Sequence, residues 1–195
     1  MFTVSETLEA REAKIQAFAK QDTVVGVVLA AIHLEWCLAR CFLLMGTTSS
    51  KEMLTTRASK QDKHFALDEI SSFTGYATAW AAEIEPIIHI SWETVFASIK
   101  RPESLIPARG TVTVKRGHPL PEVTDGASCV RYAMNCRNAF VHGEKGTTSP
   151  DHAQALLEIF FAAARALNEV AISQGLSLFG RRRCRRGAFG SAPQA

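Results

Sequence analysis

Residues 24–45 run through apolar side chains almost without a break, and His33, Glu35 and Arg40 are the only strongly polar residues among them. Such a run has two solutions. It crosses a membrane, or it is the central helix of a bundle wrapped by other helices. A charge placed mid-span costs roughly 2.5–3.5 kcal/mol on insertion scales. Two charges and a histidine therefore favour a core helix and no membrane. Asp22 or Thr23 can cap its start, and Gly46 ends it. Within it Val28, Ala31, Glu35, Leu38 and Phe42 share one stripe, whose single acid is Glu35.

A second helix, expected over 127–142, carries the opposite anomaly. Val130, Met134, Arg137 and Val141 recur at core-facing spacing, so Arg137 puts a permanent charge on an apolar stripe. A buried charge without a partner costs several kcal/mol. Two readings of Glu35 stay open: it pairs with Arg137 across the helix interface, or it sits at the rim and reaches water. Asn138 and His142 are four residues apart and share a face. Gly143 stops the helix, which leaves His142 in the last turn, where the helix dipole favours a positive imidazole. A cation, an amide and an imidazole at one helix end suit a phosphate.

Arg137-Asn138-Ala139-Phe140-Val141-His142-Gly143 reads R-N-x-x-x-H-G, and this heptapeptide resembles the signature of the HEPN family of small helical domains. The resemblance extends over about residues 20–175. It implies an up-and-down helical bundle, a homodimer and, in many members, a metal-independent endoribonuclease that leaves 2′,3′-cyclic phosphate ends. It also implies a toxin–antitoxin or phage-defence setting, with an antitoxin or regulatory protein as partner. On this reading His142 is the acid or base, Arg137 stabilises the phosphorane, Asn138 orients one of them, and Glu35 supports the site. A second histidine would come from the other copy in a dimer. Some HEPN toxins carry a modified tyrosine two residues after the histidine; Glu144 stands there. The alternative is a non-catalytic HEPN domain that binds a nucleotide or a protein partner as a regulator.

The remaining chain reads as helices with one interruption. Thr3 and Glu6 have capping-box spacing and open a first helix to about Lys20. Residues 51–63 are polar and read as a short helix. Residues 65–84 and 87–99 read as helices parted by Pro86, the second with Ile88, Trp92, Phe96 and Ile99 at core spacing. Residues 101–125 are rich in Pro and Gly, and Thr111 to Val114 alternate like a strand, so a loop or small hairpin precedes the motif helix. Ser149 and Pro150 start a last helix whose stripe is Leu156, Phe160, Ala164, Leu167 and Ala171, and Gly175 ends it. Trp36, Trp80 and Trp92 read as core.

Charge is unevenly placed. The chain of 195 residues carries +3, yet Arg181, Arg182, Arg183, Arg185 and Arg186 lie in a terminal segment without acids, so residues 1–180 carry −2. The division expected is a helical domain over 1–178 and a basic disordered tail over 179–195. That tail is either an RNA-binding arm or a solvated charge run. Cys37, Cys41, Cys129, Cys136 and Cys184 are odd in number and fit zinc spacings poorly, so they read as reduced thiols in a cytoplasmic protein. His33 and Arg40 share a face with Cys37 and could line the same cleft as the motif. No Walker or Rossmann glycine pattern is present, and neither cofactor nor metal is expected.

Overall fold

The computed structural model describes residues 6–46, 73–105, 123–142 and 148–179, and every regular element among them is helical. The helices are α1 (Leu8–Ala19), α2 (Thr23–Met45), α3 (Phe73–Glu83), α4 (Glu85–Ile88), α5 (Trp92–Phe96), α6 (Gly126–Val141) and α7 (Pro150–Ser173). A 3-10 turn, Glu103–Leu105, follows α5. The polar segment at 51–63, the strand expected at Thr111 to Val114, Gly143 and the arginine run lie outside the described residues.

The apolar run becomes the axis of the molecule. Helix α2 packs against α1, α3, α6 and α7, most extensively against α7. It is long and apolar enough to cross a membrane, and half of its most apolar stretch is buried inside the fold. Asp22 caps it by accepting from the backbone N–H groups of Val24 and Val25. At Gly26 a Cβ would lie 2.4 Å from that of Ala19, so α1 and α2 touch where no side chain fits between them. The partner helix α7 buries all five residues of its expected stripe completely.

Three sequence expectations are corrected. The first helix starts at Leu8 on a Thr7 cap, whose hydroxyl accepts from the Ala10 N–H, instead of on Thr3. Residues 87–99 do not form one helix. Pro86 opens the short α4, His89 ends it at a left-handed φ of 57°, and Ser91 caps α5 anew. The apolar positions still reach the core: Trp92, Phe96 and Ile99 are buried. Trp92 packs edge-on to both Trp80 and Phe96, and Trp80 donates to the Ile90 carbonyl at 2.9 Å. Lastly, the packed body reaches just past the boundary expected at 178. Leu178 is fully buried and Phe179 stacks on Trp36 at 5.3 Å, so the packing runs at least one residue beyond 178.

The motif helix α6 begins with a capping box. Asp125 accepts from the Ser128 N–H at 2.8 Å, and the Ser128 hydroxyl accepts from the Asp125 N–H at 2.9 Å. Gly126 lies so close to the Phe96 carbonyl that a Cβ would stand 1.8 Å from its oxygen. These contacts lock the start of α6 to α5.

Candidate functional site

Arg137 and Glu35 meet. The Arg137 Nη2 donates to Glu35 Oε1 in an ion pair between α6 and α2, and Nη1 donates to Asn138 Oδ1 at 2.9 Å. Of the two readings of Glu35, the partner is the one observed. The side chains are 17% and 32% exposed, so the pair sits at the edge of the core and is open to solvent on one side. Arg137 Nε is buried and has no hydrogen-bond partner among the described residues. Burial pushes the Glu35 carboxyl up from its ordinary value, against the opposing charge and hydrogen bond of Arg137. The cost of taking both groups partly out of water offsets some of their attraction.

The stripe through Arg137 is buried only in its first half. Val130 and Met134 are core, while Val141 is 54% exposed. In the same turn Ala139 and Phe140 are buried, so Val141 lies on the outer side of α6. His142 is the C-cap residue of α6, with its N–H bonded to the Asn138 carbonyl at 2.9 Å and its side chain exposed. Among the described residues no hydrogen bond joins its ring to Arg137 or Asn138. The guanidinium turns to Glu35 and Asn138 instead of sweeping toward the imidazole. Motif side chains are thus neighbours on one helix end, with Arg137 fixed and His142 facing solvent.

His33 and Arg40 do not line this place. They belong to a cluster on another side of α2 that sequence reasoning missed. Arg11 is 1% exposed, and its guanidinium lies 3.7 Å from the Trp36 ring centroid and 5.3 Å from that of Phe179. Arg40 Nε donates to the Leu178 carbonyl at 3.4 Å. His33 is fully buried beside Phe179, and burial together with Arg11 pushes its imidazole down to about 4. Next to it Glu12 forms a bidentate pair with Arg165 of α7, Nε to Oε1 at 3.0 Å. The signal was present. Leu8, Arg11, Ile15 and Ala19 share one buried stripe, so Arg11 breaks an apolar stripe just as Arg137 does.

Cys37, Cys41, Cys129 and Cys136 are buried free thiols, and burial pushes Cys37, Cys41 and Cys129 up. Among the described residues no group of three or more His, Cys, Asp or Glu could hold a metal ion. No family model, curated protein or solved structure matches this chain.

Proposed function

We propose that the chain is a metal-independent endoribonuclease of the HEPN type, built as an up-and-down bundle and acting as a homodimer in a toxin or defence setting. The observation that carries this is the Glu35–Arg137–Asn138 chain of contacts, which holds a guanidinium at the open end of a helix beside an exposed His142. A charge on an otherwise apolar stripe needs a partner, and Glu35 supplies it at the helix end that carries His142.

In the reaction a 2′-hydroxyl oxygen attacks the adjacent phosphorus, and the 5′-oxygen leaves. One His142 accepts the 2′-hydroxyl proton. The His142 of a second copy donates a proton to the departing 5′-oxygen. Arg137 offers planar donors to the equatorial oxygens of the phosphorane. A dimer is supported by a half-open apolar face on α2: Val25 and Ile32 are 43% and 45% exposed, with Val28, Leu29 and Trp36 half-buried beside them. On α6 the residue before His142, Val141, is also an exposed apolar side chain.

A second reading has its own observation. Both terminal nitrogens of Arg137 already have partners, Glu35 and Asn138. A guanidinium so engaged also fits a non-catalytic domain that binds a nucleotide or a protein regulator. The deciding experiment incubates purified protein with single-stranded RNA in EDTA. Expected are fragments with 2′,3′-cyclic phosphate ends, abolished by His142→Ala and by Arg137→Ala in proteins that remain folded, from a particle twice 21.3 kDa. Intact RNA with the wild-type dimer favours the regulator; cutting that survives in both variants removes the site.

A further inference from the structure

Helix α7 ends in a reversal. Gly175 takes a φ of 69°, and the Leu176 N–H returns to the Ala171 carbonyl at 2.9 Å. Residues 176–179 then lie across α1 and α2 as a strap. Leu178 is fully buried, and its carbonyl accepts from Arg40 Nε at 3.4 Å. The Phe179 ring lies 5.3 Å from that of Trp36 and 5.9 Å from that of His33.

The charges that meet the strap have one sign. Helix α1 brings the Arg11 guanidinium to 5.3 Å from the Phe179 ring, and α2 brings that of Arg40 to 5.7 Å from the Trp36 ring. The thiols of Cys37 and Cys41 stay neutral because burial pushes both well up. Carboxylates in reach of this cluster are engaged elsewhere. Glu6, just before α1, holds Lys14, and Glu12 holds Arg165 of α7. Glu35, on another side of α2, holds Arg137. Of these groups it is Arg11 that acts on the His33 imidazole, with the same sign as a proton the ring would take up.

A proton on His33 therefore adds a cation to Arg11 and Arg40 in a place closed to water. One covering element has to yield. Helix α7 is the most extensive partner of α2, and α1 is set against α2 so tightly at Gly26 that no side chain fits between them. Moving either opens the core. The strap rests on one buried leucine, the packing of one ring and one long hydrogen bond. It is the element that gives way first.

We propose that residues 176–179 are an acid-released strap: when His33 takes up a proton, Leu178 and Phe179 lift off α1 and α2 while the helices stay in place. Release bares more of the Trp36 ring, which lies beside Ile32 on the half-open apolar face of α2. The proposal is independent of the ribonuclease reading and stands or falls without it.

The test is nuclear magnetic resonance of the full chain between pH 7 and 4.5. The amides of Ser177, Leu178 and Phe179 report the strap, and those of the buried Leu34 and Leu156 report the core. As pH falls, the strap amides should move to the shifts of an unstructured chain while the core amides stay native. With His33 at about 4 under the strap and at the ordinary 6.5 once uncovered, the ratio of open to closed strap should rise about twentyfold from pH 7 to pH 5. His33→Gln should keep the strap closed over the whole range. Phe179→Ala strips the ring from the imidazole, and His33 should then titrate at a higher pH than in the wild type. Strap amides that stay native until the core amides move with them overturn the proposal. So does release at the same pH in His33→Gln. Should His33→Gln fail to fold, an unchanged His33 titration in Phe179→Ala overturns it alone.

Discussion

Two opposite charges on two apolar stripes find each other across 102 residues of chain, and the pairing was legible for a simple reason. Neither Glu35 nor Arg137 had another candidate on its own stripe. Glu35→Ala should destabilise the protein by about 1–2 kcal/mol, less than for a fully buried pair because water reaches one side. Glu35→Gln, which keeps an acceptor for Arg137, should cost less than the alanine variant. Urea midpoints decide this, and equal values for wild type and Glu35→Ala would mean the pair does not hold α2 to α6. Arg11 breaks its stripe in the same way, but its partner could not be read from the sequence. A charged N-terminal stretch reads as a solvated face until a stacking partner, Phe179, arrives from the other end of the chain. His33 adds a pH response. Its folded value of about 4 lies below the ordinary 6.5, so the unfolded chain binds the extra proton. Stability present above pH 6.5 should fall as pH drops toward 4, by about 3 kcal/mol in all, and flatten below. His33→Gln should remove that slope from a series of urea melts between pH 7 and 4.

Elements with a long apolar period were readable to within a residue or two. Helix α2 runs Thr23–Met45 and α7 runs Pro150–Ser173, each with the expected cap. The failure at 87–99 has a local cause. Its apolar residues keep helical spacing because they face one core, but His89 adopts the left-handed region and Ser91 offers a new cap. Spacing reports which side chains are buried, and a short break between two turns can preserve it. A related limit applies to α6, where Val141 keeps the spacing of Val130 and Met134 but faces outward, while Ala139 and Phe140 beside it are buried. The start of α6 depends on an approach too close for any side chain. Gly126→Ala should push α6 away from the Phe96 carbonyl and cost about 2–3 kcal/mol. A thermal melt matching wild type would show that α5 can yield.

On the scale of the whole molecule, the last described residues close the fold where sequence composition had suggested a loose tail. Leu178 is buried, Phe179 lies against Trp36 and within cation–π distance of Arg11, and Arg40 holds the Leu178 carbonyl. Leu178 closes the domain expected over 1–178, and Phe179 carries the packing one residue further. A chain ending at Gly175 should lose about 2–3 kcal/mol, the burial of one leucine before any stacking is counted. A chain ending at Gly180 should keep its urea midpoint. If the five arginines beyond it bind RNA, that shorter chain should show a shallower salt dependence, by about 0.7 in the log–log slope for each phosphate it no longer engages. An unchanged slope would make the run a solvated charge only.

The Glu35–Arg137 pair also has an order in time. Its acid is made early in synthesis and its base late, on helices that must both be formed and docked before the two touch. Until α6 lies on α2, Arg137 is one more solvated arginine on a loose chain. A nascent or half-folded molecule thus lacks the fixed guanidinium altogether.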